Sequence, residues 1–284
     1  MRISSRNKGT IIPYLFILPS LIGVCAIMVF PYVDVLIRSF KNVKGNFTGF
    51  SNYMEVFVNE AFITAMTNTG KFMGVCIPIM LVISLALALI IFEIPKVSSF
   101  IKTGLLLPMV VPVASVVLVW KYFFSQTGFI NGYLLETGGT PVNWMESSAA
   151  FWILIAGYIW RNLGFNVILW LAALSAVNYS SQEAAKLEGA GFFRRHLCIT
   201  LPAIHNMSFV IIVLAMLNSF KVFREAYMVC GDYPDNSIYM IQHLFNNWFR
   251  NLDIDRLAAA SVIDGFVMVV LIAVLQYAWR SDQR

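Results

Sequence analysis

Five ionisable residues, Arg161, Lys221, Arg224, Glu225 and Asp264, sit in or beside apolar stretches long enough to cross a bilayer. Charges in a membrane interior are costly and face a helix-bundle interior or a watery cavity. Arg161 falls near the middle of the stretch that begins at Ala149. Two readings follow for it. It lines a cavity and hydrogen-bonds the hydroxyls or carboxylate of a solute, or it is structural, paired with Asp264 or held by a partner subunit. Lys221 lies near the end of its stretch, where a long side chain reaches the interface. Asn218, Phe220, Phe223 and Tyr227 place an amide among aromatic faces. That set suits stacking on a ring while bonding its hydroxyls; the other reading is interfacial anchoring, since aromatic residues collect at that depth.

A second charged region reads EAAKLEGAGFFRRHLCITLP over residues 183–202. Ser180 and Glu183 have capping-box spacing, which starts a helix by satisfying orphan backbone donors. Glu183 is then expected in the first turn, where its charge favours the helix dipole. Ala184 and Ala185 have no bulk, so another surface can approach closely. Gly189 and Gly191 end the helix and permit a sharp turn. Phe192, Phe193, Leu197 and Ile199, beside Arg194, Arg195 and His196, predict a second amphipathic helix. Pro202 marks entry into the next apolar stretch. Read alone, this is also compatible with an ordinary polar loop.

Catalytic patterns are missing from the chain. There is no G-x-x-x-x-G-K-[ST] phosphate loop; Gly70-Lys71 is the only Gly-Lys pair, and Ala65 occupies the position of the first glycine. His196, His205 and His243 are isolated. Cys25, Cys76, Cys198 and Cys230 form no CxxC pair and read as packing residues. No catalytic residue, metal site or cofactor is expected.

The elements that carry these residues are membrane helices. Hydrophobic residues make up 59% of the chain and charged residues 12%, against about 25% charged in a soluble domain. The net charge of +5 is not a nucleic-acid signal here. A spanning helix needs about 20 apolar residues. Six stretches meet that length: 11–30, 72–92, 104–124, 149–176, 207–227 and 257–279. The first is too long for a signal-peptide core and lacks a small-x-small cleavage site. Pro78 is an expected kink. An even count with a basic start places both termini in the cytoplasm. That topology puts Arg2, Arg6, Lys8, Lys96, Lys102, Lys186, Arg194, Arg195, Arg280 and Arg284 inside. It leaves Arg38, Lys41, Lys44, Arg250 and Arg256 outside. The asymmetry obeys the positive-inside rule, although Arg38, Lys41 and Lys44 run against it. The 128–148 and 228–256 loops then face outward and suit an extracytoplasmic partner.

The 183–202 segment resembles the EAA loop of bacterial ABC importer permeases, with Glu183, Ala184, Ala185, Gly189, Ile199, Leu201 and Pro202 at pattern positions. Further segments are similar to the carbohydrate branch of that family, the relatives of the maltose and glycerol-phosphate permeases. They are Pro13 to Pro19, Phe50 to Tyr53, Asn68-Thr69, Leu107-Pro108 with Val111-Pro112, Trp160 to Asn166, and Gly231 to Ser237. The resemblance implies an all-α polytopic protein with six transmembrane helices and the type I, maltose-permease-like fold. Residues 1–67 would hold the tail, first helix and outer loop. Residues 68–284 would form a five-helix core with the coupling loop at 178–204. It implies a non-catalytic subunit in the bacterial inner membrane, coupled to ATPase subunits through Glu183, Ala184, Ala185, Glu188, Gly189 and Phe192. Its implied partners are a second homologous permease, two ATPase subunits, an extracytoplasmic solute-binding protein, a sugar substrate and membrane lipid, with no nucleic acid. The implied substrate path takes in Arg161, Asn166, Asn218, Phe220, Phe223, Arg224, Tyr227 and Asp264.

The match has departures. Glu188 replaces a usual Asp, Asn206 a frequent proline, and Arg224 an acidic or polar residue, while Asp264 lies in a usually apolar span. The last two bear on the substrate path. A secondary transporter, or an ABC permease for a non-sugar solute, is the alternative. A secondary transporter usually carries internal repeats and more spans in one chain.

Overall fold

The computed structural model describes the backbone of residues 5–177 and 179–281, with their side chains except those of 5–13, 95–99, 179–180, 229 and 280–281. In the positive-inside count, Arg2 and Arg284 lie outside the described residues, as do the side chains of Arg6, Lys8, Lys96 and Arg280. Every named element among the described residues is helical, and their one extended pairing is an isolated bridge between Lys41 and Phe47.

Among the described residues, six stretches are long and apolar enough to cross a membrane: Tyr14–Arg38, Glu60–Glu93, Val113–Glu136, Ala149–Ser175, His205–Met228 and Ile254–Trp279. The second span is longer than the apolar run suggests, because its helix starts at Glu60 and carries Pro78 inside it. The third differs most from the sequence reading. A helix over Pro95–Val110 stops, Val111 and Pro112 are extended with ψ of 129° and 139°, and a new helix runs over Val113–Phe124. Proline disfavours the α region for the residue before it, so the break falls at Val111.

The chain divides into two compact units, Met1–Phe62 with Asn247–Val270, and Ile63–Asn246 with Leu271–Arg284. In the first unit, Asn52 donates to the carbonyls of Ser39 (2.9 Å) and Lys41 (2.8 Å), and Tyr53 shares a 2.6 Å hydrogen bond with Ser39. These bonds fold the segment after the first span back on itself.

The core of the second unit gathers Ala88, Ile91, Val167, Trp170, Leu171, Leu174, Ile204 and Ile211. Helices in lipid gain little from a hydrophobic drive and associate through close packing and buried polar contacts. Both appear here. An added Cβ on Gly164 would meet the Leu105 carbonyl oxygen at 1.9 Å, and one on Gly157 would meet the Trp120 ring at 1.7 Å. Trp170 donates to Ser84 across helices at 3.0 Å.

The loops of this unit are pinned by buried amides. Asn131 donates to Ser125 and Val142 and accepts from the Val142 backbone and the Trp144 indole. Asn68 donates to the carbonyls of Asn236 and Tyr239, and the Thr69 hydroxyl accepts the Ile241 N–H at 3.0 Å. The Asn68-Thr69 pair thus fastens the long loop after the fifth span to the start of the second.

Candidate functional site: the loop between the fourth and fifth spans

The polar segment folds into a helix over Tyr179–Leu187, a turn, a short helix over Phe192–Arg195, a π-helical stretch over His196–Thr200 and a last turn over Leu201–Ala203. The helix is already under way at Tyr179, so Ser180 lacks the non-helical backbone that an N-cap needs and Glu183 falls beyond the first turn. The expected capping box turns on the Ser180 side chain, which lies outside the described residues.

The other end behaves as the sequence suggests. Gly189 has φ +80°. Its N–H bonds the Lys186 carbonyl at 3.1 Å, and the Ala190 N–H bonds the Ala185 carbonyl at 2.9 Å. This is a Schellman motif, which needs the left-handed residue that glycine supplies without steric cost. Gly191 is extended and precedes the next helix.

Glu183, Ala184, Glu188, Gly189 and Phe192 are exposed. Ala185 is 8% exposed. Adjacent helical residues point about 100° apart, so Ala184 faces out where Ala185 packs in. Leu187 (91% exposed) and Phe193 (77% exposed) add apolar surface to the outward face. Small and apolar groups thus share this exposed face with the Glu183 and Glu188 carboxylates.

Behind that face lies a residue the sequence reading did not single out. Glu93, the last residue of its helix, receives Arg195 Nη2, Lys186 Nζ at 3.4 Å and His196 Nε2 at 3.4 Å. Arg195 and His196 are 4% and 2% exposed. His196 Nδ1 lies 3.0 Å from the Thr200 hydroxyl, which Gln182 approaches at 3.5 Å. Burial, and next the Arg195 charge, hold the His196 pKa below its ordinary value, with Glu93 opposing both.

The intramembrane candidates are placed as follows. Arg161 pairs with Glu225, a partner the sequence reading did not name; Nε and Oε1 are 3.6 Å apart and both side chains are largely buried. Glu225 lies on the helix over Phe223–Cys230, which presents it to Arg161. Asn166 is buried and donates to Asn162 and to the Met80 sulfur. The Asn218 side-chain oxygen accepts Lys221 at 2.6 Å. Phe223 packs on Tyr227 at 5.2 Å and edge-on to His243 at 4.8 Å. Phe220 and Phe223 line a cavity of about 10 Å³, room for one water and not for a sugar ring. Arg224 is exposed. Asp264 is half-buried and belongs to the unit that contains Asn247–Val270. The candidate cluster is therefore partly assembled, around Phe220, Phe223 and Tyr227, with Arg161 engaged elsewhere.

No family model matches the chain. The sn-glycerol-3-phosphate transport system permease protein UgpA of Escherichia coli is 29% identical over 282 residues, covering 96% of this chain and 95% of that one. The lactose transport system permease protein LacF of Rhizobium radiobacter is 27% identical over 277 residues, covering 93% and 91%. Among solved structures, a bacterial alginate ABC transporter in complex with an alginate pentasaccharide-bound periplasmic protein superposes with a TM-score of 0.84 at 22% identity, covering 100% of this chain and 99% of that one. The chain has the ABC importer permease fold. Its sequence relatives are transport permeases along almost their whole length, and with six apolar helices among its described residues the chain is a multi-pass membrane protein. The loop over residues 179–203 lies outside the spans on either side of it.

Proposed function

We propose that this permease is the membrane-spanning subunit of an ATP-driven carbohydrate importer and forms half of its translocation path. A separate ATPase subunit grips the loop between the fourth and fifth spans. The observation that carries this is the exposed surface of Glu183 and Ala184 on a helix closed by the left-handed Gly189, continued by Glu188 and by Phe192 at the start of the next helix. The chain has no phosphate loop of its own, so energy must enter from another subunit at such a face. ATP-driven closure moves the loop and alternates access to the path, because each ATPase state binds one permease conformation better than the other.

The remaining partners follow from the same reading. A second homologous permease supplies the other half of the path, and the first span, whose apolar window is 0% buried, is available to that subunit and to lipid. Two ATPase subunits serve the pair. A solute-binding protein delivers sugar to the outer loops, as the alginate importer's periplasmic protein supports. Both termini are cytoplasmic, in the bacterial inner membrane. Residues 1–67 form the accessory N-terminal part and 68–284 the core. The substrate path draws on Phe220, Phe223 and Tyr227, with Asn166, Asn218, Arg224 and Asp264 along it. Glu225 neutralises Arg161, which removes the need for an acidic group on the sugar at that position.

Purification of the intact complex from its own membranes, with mass spectrometry of partners and retained ligand, tests the proposal. An ATP-binding subunit and a carbohydrate are expected. Purification of an active transporter as this chain alone, moving solute down an ion gradient, would replace the reading with a secondary transporter.

A further inference from the structure

Glu93 collects cations from both sides of the Gly189 turn. Lys186 comes from the helix before it and Arg195 from the segment after it, with the His196 imidazole beside the carboxylate at 3.4 Å. The position of the carboxylate is fixed by sequence, because Pro95 forces Ile94 out of the helical region (φ −121°, ψ 68°) and ends the span's helix at Glu93. Cations at a helix C-terminus also oppose its dipole favourably. The Arg195 contact is a buried charge-assisted hydrogen bond, the stronger kind, and the Lys186 ion pair at 3.4 Å is longer and more exposed. A second leg runs from His196 through Thr200 to Gln182, all three nearly fully buried. The stretch joining them is π-helical, a rare geometry that recurs at functional sites.

We infer that Glu93 is a positioning residue that locks the loop to the second span, so that the ATPase stroke moves that span directly and not only the fourth and fifth spans that the loop joins. Arg195 and Lys186 hold the carboxylate from two elements, and a push on either short helix reaches Glu93 without passing through the Gly189 turn. Loss of the carboxylate charge frees the loop to move while the second span lags. The inference rests on the reading of the loop as the ATPase socket.

The test uses the complex with its ATPase subunits in lipid nanodiscs, with Cys25, Cys76, Cys198 and Cys230 replaced. Spin labels at Leu197→Cys and Ile90→Cys, both on exposed positions, report the distance between loop and span, without nucleotide and trapped with ATP and vanadate. In the parent complex the distance distribution is expected to stay unchanged on trapping. In Glu93→Gln it is expected to match the parent without nucleotide, then shift and broaden on trapping, with basal ATP hydrolysis retained. Glu93→Arg combined with Arg195→Glu is expected to restore the unchanged distance. A Glu93→Gln distance that stays fixed on trapping overturns the inference. So does broadening that is already present without nucleotide, since that marks a fold defect. If Glu93→Gln fails to assemble, the charge-swapped pair decides: a fixed distance supports the lock, and a shifted distance or failed assembly overturns it. A parent complex that retains no ATPase subunit would instead sink the socket reading itself.

Discussion

Arg161 faces Glu225 across two spans, Nε to Oε1 at 3.6 Å, with both side chains largely withdrawn from solvent. Removing one partner of a buried pair leaves an uncompensated charge and typically costs about 3–5 kcal/mol. Arg161→Ala is expected to lower the thermal stability of the purified complex clearly. Arg161→Ala with Glu225→Ala is expected to recover most of the loss, and Arg161→Ala with Asp264→Ala none of it. Rescue through Asp264 would contradict the pairing.

Gly164 permits the helix over Pro95–Val110 to cross the fourth span at contact distance. A Cβ there would lie 1.9 Å from the Leu105 carbonyl oxygen, which rotamer changes cannot relieve. Overpacking of this kind costs about 1–3 kcal/mol or more. Gly164→Ala is expected to depress the unfolding temperature and the yield of folded protein. Gly74→Ala, with nothing within 4 Å of the added atom, is the control and should leave both unchanged.

His243 supplies a pH test outside the spans. It is fully buried, and its Nδ1 accepts the Met240 N–H at 3.1 Å, a role open only to the neutral ring. Burial pushes its pKa down from 6.5 to about 4, with Asp232 opposing. The unfolded chain therefore takes up the proton first as pH falls. The neutral ring's contribution is intact above about 6.5 and is lost progressively as pH falls toward 4, on the order of 3 kcal/mol in total. His243→Asn keeps an acceptor for Met240 but does not titrate. Thermal unfolding between pH 7.5 and 4.5 should fall less steeply for that variant than for the parent; equal slopes would remove His243 as a contributor.

Much of this was readable beforehand because the bilayer leaves few choices. A span needs about 20 apolar residues and a fully bonded backbone, so the number of spans follows from composition. Gly189 was readable too, since a glycine after a short charged helix has few other reasons to be there. Rotation about a helix axis was not readable. The sequence offered Asp264 or a partner subunit for Arg161, and only packing brings Glu225 to face it. Glu93 looked like an ordinary charge at a helix end, because its partners Lys186 and Arg195 lie 93 and 102 residues away.

The central claim is that the face around Ala184 meets the ATPase. The most direct measurement is cysteine cross-linking from Ala184→Cys, in a background without the four native cysteines, to the co-purified ATP-binding subunit. Ala184 is exposed and Gly189 holds its helix at φ +80°, a value closed to proline, whose ring fixes φ near −65°. The account predicts an ATP-sensitive cross-link from the cytoplasmic side that is lost when Gly189→Pro is added, with insertion into the membrane unaffected. Labelling of Ala184→Cys only from outside the cell, or a cross-link and transport rate unchanged by Gly189→Pro, would contradict it.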